Sequence, residues 1–471
     1  MTGLLNHFAA AAARHPERIA IVDGKGRETR FAELKARADG LAARWQAQGI
    51  SHGDRVLMAR PVDADLYASL AALWSLGAVA VLPEPAMGLA GLRHAIRTTR
   101  PKAVCASGWF RALRLLPELW GTRLLSNAAL PAGRMTPAAT DDDIALISFT
   151  SGSTGNPKAI PRSHSFLLAQ HEAIAPLLHS SQPQRDLVAF PVFTLINIAD
   201  GQTSVLPNWK MSRLDETSPQ ALHDWMTRQR ISRALIPPSL CEKLASTDMP
   251  ANLCTIFTGG GPVFPDLITR LTSVTGAPDV ICVYGSTEAE PIAHLDARDI
   301  TAADFAAMAA GDGLLVGSPV PDLQLRIRQD EIQVAGQHIN SGYLNPADNA
   351  ENKLAEGDLI WHRTGDAGRM DEAGRLWLLG RIGSRVTIGG KALYPFQIEV
   401  AARQWRGVRQ AGLVSNGQIP VLALAGDIDC FPHWQEAAAK LGISEVRRFD
   451  RLPTDRRHAS KIDVKALRKL I

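Results

Sequence analysis

Residues 144–164 read Ile-Ala-Leu-Ile-Ser-Phe-Thr-Ser-Gly-Ser-Thr-Gly-Asn-Pro-Lys-Ala-Ile-Pro-Arg-Ser-His, an apolar run of strand length that passes at once into hydroxyls and glycines with one lysine. Ile144, Leu146, Ile147 and Phe149 leave no room for a helix before Thr150, Ser151, Gly152, Ser153, Thr154 and Gly155. The chain must therefore carry a buried strand with an anion-friendly loop at its end. Glycines let backbone N–H groups approach an anion, hydroxyls add donors, and Lys158 supplies a compact positive charge. An ordinary surface loop uses the same residue types, so the loop needs support from elsewhere in the chain.

With 471 residues the chain can bury a large core and should divide into at least two domains. A hydrophobic fraction of 46% and a charged fraction of 21% exclude a chain dominated by disorder. Lys plus Arg number 51 against 47 Asp plus Glu, and a net +4 is too weak for a nucleic-acid surface. The basic residues from Arg447 to Lys469 have only Phe449 among them as an aromatic, no interleaved pattern, and read as a solvated face. Five scattered cysteines, never in a Cys-x-x-Cys pair, read as reduced core residues of a cytoplasmic protein. No apolar run reaches the roughly 18 residues of a membrane span. Leu4, Leu5 and Phe8 with the alanines to Ala13 predict an amphipathic first helix and no signal peptide.

Strand and helix patterns alternate through residues 19–105, the rhythm of parallel sheets covered by helices. After the loop, residues 166–178 read as a helix and 187–192 as a strand ending in Pro191-Val192-Phe193-Thr194. Leu195, Ile196, Ile198 and Ala199 can line an apolar pocket or simply pack the core. Residues 254–257 form a strand that runs into Thr258-Gly259-Gly260-Gly261-Pro262, where three missing Cβ atoms offer a flat ring a backbone to lie on. A further strand, 280–283, delivers Tyr284-Gly285-Ser286-Thr287-Glu288, residue types that stack a base, bind phosphate and hold a divalent cation. From Leu323 the period becomes two, predicting a hairpin in a smaller antiparallel sheet. Thr364-Gly365-Asp366 forms a tight corner whose carboxylate can accept from vicinal hydroxyls.

The spacing around Lys158 departs from the nucleotide-triphosphatase loop, because Pro157 stands five residues after Gly152 and Ala159 follows the lysine. It resembles instead the Thr-Ser-Gly-Ser-Thr-Gly-x-Pro-Lys loop of the adenylate-forming superfamily: acyl-CoA synthetases, nonribosomal peptide adenylation domains and luciferases. Tyr284 to Glu288 is similar to that superfamily's Tyr-Gly-x-Thr-Glu segment, and Gly342-Tyr343 to its Gly-x-Gly-Tyr region. Departures are Ala159 for the usual glycine, Thr194 where acyl-CoA synthetases tend to carry histidine, Gly383-Ser384 for the usual Asp-Asp, and Ser460 for the glycine before the terminal lysine.

The resemblance implies a large N-terminal domain of helix-covered sheets (1–380), a hinge (381–385) and a small mobile α+β domain (386–471), an α/β fold overall. It further implies ATP and Mg²⁺, with Gly259, Gly260 and Gly261 beside the adenine, Asp366 and Arg381 at the ribose, Glu288 as metal ligand, and Lys158 and Lys461 as catalytic cations. Gly389, Gly390 and Lys391 resemble the segment that admits a pantetheine thiol. Transfer of the acyl group to coenzyme A or an acyl carrier protein is the expected second step. Asp455-Arg456-Arg457-His458 instead resembles the olefin-pathway β-lactone synthetases, which close a 3-hydroxy acyl adenylate on itself. A non-catalytic nucleotide-binding protein of the same fold is the alternative of another class. The expected partner is a small carboxylic acid, hydrophobic if Leu195, Ile196 and Ile198 line its pocket.

Overall fold

The structure, a computed structural model, describes residues 3–131, 139–150, 157–416, 419–455 and 460–471. Ser151 to Gly155 of the hydroxyl loop and Arg456 to His458 lie outside the described residues.

Two sheets build the body of the molecule. In a six-stranded sheet, Arg55–Ala59 pairs in parallel with Val79–Val81 and Ala103–Ala106, and Val79–Val81 hands on to Ile144–Thr150. That last strand pairs antiparallel with Lys158–Ser163 at the sheet edge, with Thr150 opposite Lys158. The four parallel strands Arg55–Ala59, Val79–Val81, Ala103–Ala106 and Ile144–Thr150 are largely buried, as parallel strands covered by helices must be. Helix Ala64–Ser75 starts at Asp63, whose side chain accepts from Leu66 N, and helix His164–Leu178 starts at Ser163, which accepts from Phe166 N. The first helix, Gly3–Arg14, buries Leu4, Leu5, Phe8, Ala11 and Ala12, the amphipathic stripe read from sequence.

The second sheet has fourteen strands. Its parallel half includes Arg185–Val188, Arg233–Ile236, Thr255–Gly259 and Asp279–Ser286. Asp279–Ser286 then turns into Ala289–Asp296, and from that hairpin onward the sheet is antiparallel through Leu314–Pro319, Leu376–Arg381, Leu359–Met370 and Glu331–Ala335. The period-two hairpin after Leu323 is present as Gln324–Arg328 with Glu331–Ala335. It belongs to this large sheet and not to a separate smaller one, because Ala289–Asp296 bridges the two halves through hydrogen bonds that sequence periodicity does not encode. A second difference lies after Val188. The strand Arg185–Val188 ends there and Pro191–Ala199 is a helix, since proline at its start presets the helical φ.

Residues 386–471 carry two apolar cores of their own, around Trp434 and around Leu452 and Leu467. Their elements are a hairpin, Val386–Ile388 with Lys391–Leu393, a helix, Pro395–Arg403, and a three-stranded sheet, Val408–Asn416, Ile419–Gly426 and Glu445–Phe449. This gives the α/β architecture expected: a large body of helix-covered sheets and a smaller α+β unit.

Candidate active site

One cleft of about 1930 Å³ opens between the two sheets and residues 386–471. Thr150, Lys158, Gly259, Gly260, Gly261, Tyr284, Gly285, Ser286, Thr287, Glu288, Asp366, Arg381 and Lys461 all border it. The sequence scatters these residues over more than three hundred positions, and the sheet topology returns them to one place.

Asp366 and Arg381 are direct partners across two antiparallel strands. Arg381 Nη1 donates to Asp366 Oδ1 at 2.8 Å and to the Thr364 carbonyl at 3.1 Å. The Tyr284 hydroxyl donates to Asp366 Oδ2 at 2.9 Å. Burial, with the Asp366 charge beside it, pushes the Tyr284 hydroxyl well above its ordinary range, so it remains a donor. Each Asp366 oxygen thus keeps acceptor capacity toward the cleft.

Lys158 is 6% exposed and its Nζ donates to Glu351 Oε2 at 3.2 Å and Asn352 Oδ1 at 3.1 Å, 5.2 Å from the Tyr343 ring centroid. The Tyr343 hydroxyl donates to Glu288 Oε1 at 3.0 Å. Four residues beyond Lys158 on the same strand, buried Arg162 donates to the Thr287 carbonyl at 2.8 Å, tying the hydroxyl-loop hairpin to the turn that carries Glu288.

Lys353 and His362 form a second buried pair behind Tyr343. Lys353 Nζ lies 3.2 Å from His362 Nδ1 and 5.5 Å from the Tyr343 centroid, and it also donates to the Asn340 carbonyl. Burial lowers Lys353 to about 8, and burial together with the Lys353 charge lowers His362 to about 3, so the histidine is neutral. Tyr343 stands within a stretch the sequence marks out and His362 lies two residues before another, but nothing in the pattern distinguishes Lys353, Asn352 or Arg162. Their importance is a matter of tertiary neighbours.

The three glycines turn out to serve three different approaches. A Cβ on Gly259 would meet the Val283 carbonyl at 2.3 Å, Gly260 has φ of +75°, and a Cβ on Gly261 would lie 2.5 Å from Ser460 Cβ. The space before Gly261 is thus taken by the loop that carries Lys461. Asp455 Oδ1 accepts from the backbone N–H of Ser460 at 3.0 Å and of Lys461 at 2.8 Å, and Ser460 Oγ accepts from Ser239 N at 3.2 Å. Lys461 is exposed and borders the cleft.

Gly389, Gly390 and Lys391 are elsewhere. The glycines form the two-residue turn of the hairpin Val386–Ile388 with Lys391–Leu393, at φ of +56° and +79°, with nothing within 4 Å of a Cβ on either. They stand outside the cleft lining, and the turn geometry alone accounts for both glycines. Among the apolar candidates, Leu195 lines the cleft, whereas Ile196, Ile198 and Ala199 are buried in the core.

Among the described residues no cluster of three His, Cys, Asp or Glu could hold a metal by itself. Glu288 offers one carboxylate at the cleft wall, and the half-buried Ser148 and Ser286 in the lining have buried hydroxyl oxygens without a hydrogen-bond partner among the described residues. One carboxylate with hydroxyl and phosphate oxygens suits a hard cation that keeps several waters, which is Mg²⁺ chemistry.

The chain is similar to known proteins. The profile of the AMP-binding enzyme family matches residues 8–344, and the chain belongs to that family of AMP-forming ligases. More particularly, it is 31% identical to the olefin β-lactone synthetase of Stenotrophomonas maltophilia, over 92% of this chain and 89% of that protein. It is 27% identical to the 2-succinylbenzoate–CoA ligase of Geobacillus kaustophilus, over 89% and 87% of the two chains. The fold is also that of the amide bond synthetase from Marinactinospora thermotolerans, with a TM-score of 0.83 at 22% identity over 99% of each chain.

Proposed function

We propose that this enzyme uses ATP to activate a carboxylic acid as its acyl adenylate, releasing pyrophosphate. The observation that carries the reading is the meeting, at one cleft, of the Tyr284, Asp366 and Arg381 cluster with Lys158 on one side and the Lys461 turn on the other.

Charge dictates the assignment of roles. The acid's carboxylate must attack the α-phosphorus while a second anion leaves, so positive groups are needed on both sides of that atom. Asp366 accepts the ribose hydroxyls, and Tyr284 packs beside the base near the backbone of Gly259 and Gly260. Residues 150–155 with Lys158 hold the β and γ phosphates, and Lys461 reaches the α-phosphate and the incoming carboxylate. Glu288 would hold Mg²⁺, which when bound supplies further positive charge to the phosphate oxygens. The acid occupies the apolar arm of the cleft formed by Tyr67, Ile174, Phe190, Phe193, Leu195 and Phe257, which favours a hydrophobic acyl or aryl group. Residues 381–385 act as the pivot between the domains, and five cysteines free of disulfides favour a cytosolic enzyme.

Two fates of the adenylate have support. A coenzyme A or carrier-protein thiol requires the small domain to turn, because Gly389 and Gly390 now stand away from the cleft. Closure on the substrate's own 3-hydroxyl requires no second substrate. It is favoured by the Asp455 turn and by the name carried by the relative at 31% identity. The test is a mass-spectrometric product assay with ATP, Mg²⁺ and a panel of acids including 3-hydroxy acids, with and without coenzyme A. Absence of any adenylate or pyrophosphate across the panel would refute activation; a lactone without thiol selects closure, and thiol-dependent product selects the synthetase.

A further inference from the structure

Beside the mouth of the cleft lies a surface that the activation chemistry does not use. The segment Gly108–Leu115 and the turn Pro117–Leu119 leave Trp109 72%, Leu115 79% and Trp120 72% exposed, and Leu89 on the adjoining helix Gly88–Thr99 is 58% exposed. These are among the largest exposures of any large apolar side chains in the described chain, and two are tryptophans. Exposed apolar residues so close together mark a contact surface.

Charge indicates what the surface contacts. Between residues 84 and 125 there are seven Arg or Lys and two Glu. Glu118 binds Arg93 at 2.7 Å and Arg97 at 3.0 Å, while Arg111 and Arg114 project from the same exposed segment as Trp109 and Leu115. Tryptophan, leucine and arginine on one short amphipathic element are the residues that settle at a bilayer interface, with the rings at headgroup depth and the guanidinium groups on lipid phosphates. Arg97, His94, Ala90 and Met87 continue from this surface into the cleft lining.

We propose that this surface docks the enzyme peripherally on an anionic lipid bilayer, with the cleft mouth facing the membrane. A docked enzyme takes up an apolar acid from the lipid phase without exposing its tail to water. Docking involves surface adhesion only, and no described helix is long and apolar enough to cross a membrane.

The test is co-sedimentation of the whole chain, without substrate, with phosphatidylcholine vesicles prepared with and without phosphatidylglycerol. Binding is expected to the anionic vesicles and to weaken with added salt. The Trp109→Ser, Trp120→Ser double variant and the Arg111→Glu, Arg114→Glu double variant should each partition about tenfold or more weakly, while adenylation of a short water-soluble acid stays at the wild-type rate. No binding to anionic vesicles at low salt would overturn the proposal, as would undiminished binding of both variants. A dimer that dissociates in the tryptophan variant while vesicles remain unbound would overturn it in favour of a protein contact. Because partition is read without turnover, the result is separable from the identity of the acid.

Discussion

Asp366 is held by two donors before any substrate arrives, so its orientation is prepaid by Tyr284 and Arg381. Asp366→Asn keeps the shape and loses the charge. It should raise the KM for ATP by roughly tenfold, the scale of a charged hydrogen bond, with unfolding unchanged, as steady-state pyrophosphate release would show. Lys461 is different, since it is exposed and borders the cleft. Lys461→Ala is therefore expected to lower ATP–pyrophosphate exchange by about a hundred- to a thousandfold and to leave transfer from a preformed adenylate much less affected. Full exchange in that variant would withdraw its assignment. Both residues were legible in the sequence because their neighbours form recognisable strings. Lys353 was not: a lysine in a short strand looks solvated, and only the packing of Tyr343 and His362 around it reveals otherwise.

Among the elements, the glycine run and the C-terminal turn are coupled by contact. Gly261→Ala places a methyl group 2.5 Å from Ser460 Cβ in an otherwise ordinary backbone conformation. The turn must retreat, carrying Lys461 with it, and activation should fall about ten- to a hundredfold. Adding Ser460→Gly should restore most of the loss, and additive effects in the double variant would show that the two do not touch in solution. The helix Pro395–Arg403 gives a different prediction. Its Glu399 is buried and accepts from Leu413 N at 2.7 Å, and burial raises its carboxyl to about 7 from 4.5. The unfolded chain loses that proton first, so stability declines as pH rises from about 4.5 to about 7 and stays at the lower level above. Glu399→Gln should flatten this decline and stabilise the protein by on the order of 2 kcal/mol above neutrality, measured as thermal unfolding at acidic and mildly alkaline pH. The sequence revealed where most strands lie and the helices with clear faces, although the strands read as 254–257 and 280–283 run on to Gly259 and Ser286. It misled at Pro191–Ala199, where an apolar run suits either state, and at the hairpin after Leu323, whose attachment to the large sheet depends on a distant strand.

In the whole molecule, polar contacts among the described residues fasten the small domain to the large one. Arg403 reaches Asp266 at 2.7 Å and Glu242 at 3.0 Å while lying over Phe264, Tyr394 donates to Asp330 at 3.0 Å, and Arg451 meets Asp215 at 2.8 Å. Arg403→Leu should loosen this attachment, accelerating proteolytic cleavage near residues 381–385 and slowing activation several-fold, since Lys461 depends on the same docking. If neither changes, the domain is held by something else. The partners of Arg403 are not sealed from solvent, with Glu242 36% and Asp266 25% exposed. Mobile ions therefore reach this fastening, and at an ionic strength where charges are screened within about 8–10 Å it is weakened along with the ion pair of Arg451 and Asp215. Dissolved salt then acts as a brake on the step that needs the domain docked and a release for any step that needs it turned, so the two half-reactions should respond to it in opposite directions.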